Sequence, residues 1–310
     1  MSSGNKSSMA ALGVQYALAA ENNAQGKARY FNSANAFNLK LPEVPMGVFV
    51  TPIERARRIA QTAWYACDQS DRLGSNWAAT TPFMLARYGR IQPEETLAAD
   101  FITSGLICYV IEGNIAVSVT GETLQAHGGD VLLLPGCCSI TATGTVPALL
   151  WVVTDEPLLA HLGLQPDSHH ANPAPVHFKS QDISRQVELI YHSVADAGTS
   201  GLAVAFACEA QEARRNLLPA LTLSLNTLPP HSSQSPHRHN SAALTLVVAG
   251  QNAYSNVNGK RCDWSPGATL VTPAGAPHSH HNDGACRADF LIVQDGGLYY
   301  EGRTMDFTFL

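Results

Sequence analysis

Twelve histidines occur in the chain, and six cluster between positions 231 and 281: His231, His237, His239, His278, His280 and His281. The key pair sits in Pro236-His237-Arg238-His239. In an extended strand, residues i and i+2 leave the same face. His237 and His239 therefore aim together, and Arg238 points away. Two imidazoles so placed can reach one ion at about 2.0–2.2 Å. His278 follows behind a Val-Thr-Pro-Ala-Gly turn. Two or three intervening strands would return it beside the first pair. Three neutral imidazoles suit Fe, Zn, Cu or Ni, so the ligand set alone does not choose the metal. His280 shares strand parity with His278, which places it to support a ligand from behind or to touch a substrate. The plainer reading is an exposed His-x-His and an unrelated histidine-rich loop. The spacing, the Pro-Gly turn and the flanking glycines weigh against it.

The rest of the chain must hold these residues in place. A length of 310 residues fits about two domains of roughly 150 residues each. Apolar residues make up 45% and charged residues 14%, against about 25% charged in an average soluble protein. The 19 basic residues are outnumbered by 25 acidic ones, a net charge of −6. No basic patch for a nucleic-acid backbone stands out. No apolar run reaches the roughly 18–20 residues of a membrane span. The N-terminus lacks the apolar core and cleavage site of a signal peptide, which points to the cytoplasm. The seven cysteines, at 67, 108, 137, 138, 208, 262 and 286, form no Cys-x-x-Cys pair and read as buried thiols in a reducing compartment. No Gly-x-Ser-x-Gly, phosphate-binding loop or dinucleotide-binding glycine motif is present.

Residues 1–79 read as an arm followed by a helix. The arm at 1–45 is rich in Ala, Asn and Ser. The helix spans 53–68, with Ile53, Ala56, Ile59, Ala60, Ala63 and Trp64 near helical spacing. From about 80 the texture becomes short β-rich runs punctuated by Gly and Pro. A Pro-, His- and Asp-rich linker follows the first such unit, and His169 and His170 within it read as solvent-exposed. A short helix then runs from Ser184 to a stop at Gly198. The β texture returns at about 200. The two β units share one order of strands and turns. Gly113 aligns with Gly250, and residues 129–136 align with 267–274, at a nearly constant separation. That is the signature of an internal duplication. The expected organisation is a first barrel at 80–165, a linker at 166–199 and a second barrel at 200–310.

The stretch from Pro236 to Asn282 resembles a cupin. More narrowly, it is similar to the two-barrel gentisate and salicylate 1,2-dioxygenase group. The pieces that carry the likeness are His237–His239, Ala253-Tyr254, Asn258-Gly259, Pro266-Gly267 and His278-Ser279-His280-His281-Asn282. The resemblance implies an all-β fold of tandem double-stranded β-helix (jelly-roll) barrels with helical N-terminal and linker segments. It implies an Fe(II) site on His237, His239 and His278, with His280 as a catalytic residue. Thr245, Ala243 and Tyr254 would line the substrate pocket. Many cupins add a Glu four or five residues after the second His. Ala243 and Leu244 stand there, so no acidic ligand is expected. The group also carries a carboxylate-binding Arg six residues after the second His, where this chain has Thr245. Either another element supplies that cation, such as the first-barrel segment with Arg87 and Arg90, or the substrate is less anionic. Projected onto the first barrel, the ligand positions become Asp100, Ile102 and Ile140 or Thr141. No metal is expected there.

Trp264 follows the same pattern, His231 could line the pocket or lie in an exposed loop, and Asp283 and Asp295 read as turn residues. The expected function is an Fe(II)-dependent dioxygenase that joins O2 to a small hydroxylated aromatic or enolisable substrate, in a homodimer or homotetramer. The alternatives are a metal-binding or ligand-sensing cupin without turnover, and a metal-dependent isomerase or lyase.

Overall fold

The computed structural model describes residues 8–166, 173–194, 199 and 201–310. His169, His170 and Gly198 lie outside the described residues. The chain separates into Met1–Pro42 and Glu43–Leu310. Within the first unit, a 3-10 turn spans Met9–Ala11, and a single helical turn at Asn23–Gly26 is capped by the Asn22 side chain. Gln15 and Tyr30 bridge.

The second unit holds four sheets that pair off into two barrels. One six-stranded sheet runs, in spatial order, Gly47–Phe49, Thr269–Thr272, Ala243–Ala249, Ala288–Gln294, Thr222–Leu228 and Leu202–Phe206. Another runs Val176–Phe178, Val131–Leu134, Leu106–Glu112, Ala148–Thr154, Leu85–Ile91 and Ala63–Ala66. The two orders correspond strand for strand, so the duplication expected from sequence is present in the topology. Each barrel also takes one outer strand from the segment leading into the other. Gly47–Phe49 precedes the first barrel and edges the second. Val176–Phe178 precedes the second and edges the first. The sheets therefore draw on residues outside 80–165 and 200–310. Smaller sheets close each barrel: Thr96–Asp100, Cys137–Ala142, Asn114–Val119 and Glu122–His127 in the first, and Lys260–Asp263, Ala253–Val257, His278–Asn282, His237–His239 and Phe307–Phe309 in the second.

The helix expected over 53–68 is shorter than its apolar spacing suggested. It spans Thr51–Arg58, with Ile53 and Ala56 buried. Ala63–Ala66 is instead a strand on the edge of the first barrel. Trp64 lies over Gly89, where a Cβ would stand 2.6 Å from its ring. Only glycine admits that approach. The linker helix spans Ser180–Tyr191. No helix among the described residues is long and apolar enough to cross a membrane.

The large sheets are buried on both faces because each serves two cores. Along Ala148–Thr154, Ala148, Leu150 and Val152 fill the first barrel. The alternating Leu149, Trp151 and Val153 join a core shared with Leu244, Leu246, Val271, Leu291 and Val293 of the second barrel. Period-two alternation thus assigns one set of side chains to each core. A buried polar chain crosses the shared core. Trp151 Nε1 donates to Thr269 Oγ1 at 2.9 Å, Thr269 Oγ1 lies 2.7 Å from Tyr88 Oη, and Tyr88 donates to the Gly267 carbonyl at 2.5 Å. Replacing Thr269 by Val leaves the Trp151 N–H without an acceptor. We expect Thr269→Val to lose about 1–3 kcal/mol of stability in urea unfolding, and Thr269→Ser to retain most of it.

Candidate metal centre

His237 and His239 lie on one short strand, and His278 opens the neighbouring one directly opposite His237. The alternation expected from sequence is present: His237 and His239 are buried while Arg238 is exposed. His278 is buried as well. Their ring centroids stand 4.3 Å (237–278), 4.8 Å (239–278) and 6.0 Å (237–239) apart. One nitrogen from each ring falls within 4.8 Å of the others, and among the described residues no Asp, Glu or Cys joins them. Ligands about 2.1 Å from one ion stand roughly 3–4 Å apart, so small ring rotations close the set.

The backbone fixes which nitrogen faces inward. The Nδ1 atoms of His237, His239 and His278 each lie 2.8 Å from a carbonyl, those of Ser235, Ser241 and Ala276. A carbonyl only accepts, so each Nδ1 carries its proton and each Nε2 presents a lone pair. Every carbonyl is two residues from its own histidine, so a local turn sets each tautomer. Burial holds the rings neutral. It lowers the pKa of His237, takes His239 down to about 4 and takes His278 down to about 3, against the smaller opposing effect of the carbonyl bonds. The neighbouring imidazoles push His239 and His278 further down.

His280 is buried beside the trio but is not part of it. Its ring is 5.8 Å from that of His278 and 5.0 Å from Phe290. Its Nδ1 lies 2.8 Å from Ser255 Oγ, which accepts from Trp264 Nε1, also at 2.8 Å. An indole N–H only donates, so the buried serine satisfies its own O–H by donating to His280 Nδ1. The proton of His280 then sits on Nε2, the opposite tautomer to the trio. Burial drives the His280 pKa well below its ordinary value.

Ala243 and Thr245 face the barrel interior, the side away from the shared core that holds Leu244 and Leu246. Thr245 is buried, and its Oγ1 has no hydrogen-bond partner. Tyr254 is not in the pocket. It is the neighbour of Ser255, whose side chain turns inward, so strand parity sends Tyr254 out. There it stacks on His281 at 4.6 Å with the Arg261 guanidinium 3.6 Å above its ring. His231 and Asp283 are exposed. Asp295 is more than a turn residue. It is buried, accepts the Ala242 N–H at 2.8 Å, and burial pushes its carboxyl up to about 7.

Sequence reasoning missed Gln294. It stands opposite Ala243 in register, and its Nε2 lies 3.2 Å from Nε2 of His239. The available signal was a polar residue ending the inward series Phe290, Ile292, Gln294 of an otherwise apolar strand. Also unforeseen is the wall formed by Phe307–Phe309. This strand pairs with His237–His239, and Phe307 stacks on His237 at 5.0 Å. A groove of about 740 Å³ runs past Gln294. Ala205, Thr222 and Ser224 line it, and Arg214, Arg215, Tyr300, Glu301 and Arg303 stand around it.

The first barrel has different residues at the matching positions. Counted from the hairpin turns Thr120-Gly121 and Asn258-Gly259, Val117 corresponds to Ser255. Val117 pairs with Ile140 as Ser255 pairs with His280. Ile140 therefore takes the place of His280, and Cys138 takes that of His278, a correction to the Ile140 or Thr141 expected from sequence offset. Both are buried in the first-barrel core. Asp100 and Ile102 are exposed. Arg87 does not reach the second barrel. It pairs with Glu156 at 2.6 Å and lies 3.9 Å over Phe101. Arg90 leaves the opposite face of the same strand, beside Tyr88, and neither arginine lines the groove.

Residues 224–294 match the family model described as Cupin domain. A gentisate 1,2-dioxygenase from a Ralstonia species is 36% identical over 81 residues, 26% of this chain and 23% of that protein. A 5-aminosalicylate 1,2-dioxygenase from a Comamonas species is 30% identical over 101 residues, 32% of this chain and 27% of that protein. The aligned stretch thus spans about a quarter of these relatives. The crystal structure of a salicylate 1,2-dioxygenase from Pseudaminobacter salicylatoxidans superposes with a TM-score of 0.73 at 15% identity, covering 88% of this chain and 91% of that one. A salicylate 1,2-dioxygenase structure with gentisate gives 0.74 at 14% identity, covering 89% and 88%. The chain therefore has the fold of these enzymes over most of its length.

The depressed histidines make stability pH-dependent. Above about pH 6.5 they are neutral in both folded and unfolded chains and contribute no slope. Below it the unfolded chain takes up protons that the folded site refuses. Metal-free protein is therefore expected to lose stability as pH falls from about 6.5 toward 4, by about 1.4 kcal/mol per pH unit for each such histidine. Urea titrations of the metal-free protein and of His278→Asn at pH 7 and pH 5 read the effect, with a shallower pH dependence expected in the variant.

Proposed function

We propose that this chain is an Fe(II)-dependent dioxygenase acting on a small hydroxylated aromatic or enolisable substrate. The observation that carries the proposal is the trio His237, His239 and His278, neutral and with lone pairs turned inward. The donor set fits a divalent iron, which His237, His239 and His278 would hold while leaving room for a chelating substrate and O2. Iron held there would supply the means of electron transfer between a chelating substrate and O2. The names of the similar proteins, gentisate, 5-aminosalicylate and salicylate dioxygenases, supply the substrate class.

The side chains around the trio have separate tasks. The carbonyls of Ser235, Ser241 and Ala276 hold the rings in the ligating tautomer. Trp264 and Ser255 hold His280, which offers an N–H donor for a developing negative charge on the substrate. Phe290 packs against His280 and Phe307 stacks on His237, which fixes the two rings from either side. Thr245 Oγ1 and the Gln294 amide are the neutral polar groups nearest a bound substrate. All seven cysteines are free, in keeping with a cytoplasmic protein. The exposed edge strands favour a homodimer or homotetramer.

Elemental analysis of anaerobically purified protein should find close to one iron per chain, and His239→Ala should lose most of it. Oxygen uptake should respond to hydroxylated aromatic acids or diketones. Absence of metal in both proteins after Fe(II) addition overturns the proposal. Zinc with redox-silent turnover would replace it with a lyase or isomerase. Ser255→Ala should retain iron and lose about tenfold or more in turnover, because it frees His280 from its donor.

A further inference from the structure

The floor of the site is uncharged. Ala243, Thr245, Thr222, Ser224 and Gln294 lie on the inward faces of three adjacent strands, and Gln294 joins the histidines to the groove: its Nε2 lies 3.2 Å from His239 Nε2 while its side chain lines the groove. The cations stand at the rim of the groove. Arg214 ends the 3-10 segment Glu209–Arg214 and Arg215 caps it, as Arg303 caps the helix Gly296–Gly302. One carboxylate serves two of the three: Glu301 lies 2.7 Å from Arg214 and 3.4 Å from Arg303. Arg215 has no carboxylate within 4.0 Å among the described residues. Arg215 and Arg303 also both take a left-handed backbone, φ 55°, at the ends of their helices. A non-glycine residue in that region is uncommon and bears strain that the surrounding structure must hold in place. Among the residues lining the groove this is an excess of two positive charges, on a chain of net charge −6.

We propose that Arg215, with Arg303 beside it, binds a carboxylate carried by the substrate at the end remote from its chelating oxygens. The inference rests on the chelating reading above and narrows it to acids whose charge sits on a side chain. The histidine trio takes the ring oxygens, the neutral floor of Thr222, Ser224 and Gln294 accommodates the body of the molecule, and the rim takes the charge. A guanidinium presents a planar pair of N–H donors to a carboxylate, and an exposed rim lets it do so without a buried charge.

The test uses Zn(II)-loaded protein, in which turnover is silent, and two catechols differing only in the terminal group. These are 3-(3,4-dihydroxyphenyl)propionate and 4-ethylcatechol, titrated by calorimetry at low ionic strength. The acid is expected to bind about tenfold tighter, the scale of one charge-assisted contact. Arg215→Gln should reduce that preference to less than about threefold and leave 4-ethylcatechol unchanged, which also shows the variant to be folded. Raising the salt to about 0.5 M should erode the preference in the native protein. Equal binding of the two probes by native protein overturns the anchor and leaves the chelating site standing, as does a preference that survives in Arg215→Gln. Binding of neither probe by metal-loaded protein overturns both.

Discussion

The core shared between the two barrels is the constraint on which the rest of the molecule depends. Leu244 and Leu246 on one face of a strand, and Leu291 and Val293 on its neighbour, pack against Trp151, Val153 and Leu149 of the other half. Because side chains alternate, fixing those residues toward the first barrel fixes Thr245 and Gln294 toward the histidines. A one-residue slip would bury Thr245 in the shared core and turn Leu244 into the site. The Trp151–Thr269–Tyr88–Gly267 chain resists such a slip, since each of its buried polar groups has a partner only in this register. The first barrel thus contributes to the site with no residue at the site.

The duplication also shows what a metal centre requires of this fold. In the first barrel, Cys138 and Ile140 occupy the places of His278 and His280, and the interior is packed with apolar side chains. In the second, the same positions carry the imidazoles of His278, whose Nδ1 donates to the Ala276 carbonyl, and His280, whose Nδ1 accepts from the Ser255 hydroxyl. Burying three neutral rings costs far less than burying a carboxylate in the same place, because each ring already has a hydrogen-bond partner. The strands were suited to either use, and the turns beside them supply the difference.

Parity made the centre legible in sequence. The His237–His239 alternation and the inward Thr245 followed from a period of two, and the return of His278 from the number of strands between. The resemblance, not parity, placed Tyr254 in the pocket, and the pairing of Ser255 with His280 shows it on the outside. The apolar spacing over 53–68 concealed a break at Arg58, because Ala63, Trp64 and Tyr65 satisfy a strand pattern as well as a helical one. The exchanged edge strands Gly47–Phe49 and Val176–Phe178 are three residues each, too short to carry any period. Gln294 ends an apolar run and has no motif of its own. The rim arginines carry no sequence motif, because only the ends of two short helices bring them to one groove.

That placement of charge has a physical logic. A guanidinium at Thr245 would sit among buried rings beside a divalent ion, where repulsion and lost hydration would both count against it. The same cation at the rim keeps its water and its distance from the metal. The cost of the rim position is a contact that salt weakens and that only a longer substrate can reach. A neutral floor also leaves the buried Thr245 hydroxyl with no internal partner. An unpaired hydroxyl in a dry cavity is unfavourable unless a bound molecule satisfies it, so the polar group left at this position itself favours an oxygen-bearing occupant. Selectivity then has two separate sources: hydrogen bonding at the floor, which sets what can lie beside the histidines, and charge at the rim, which sets how far the molecule must extend.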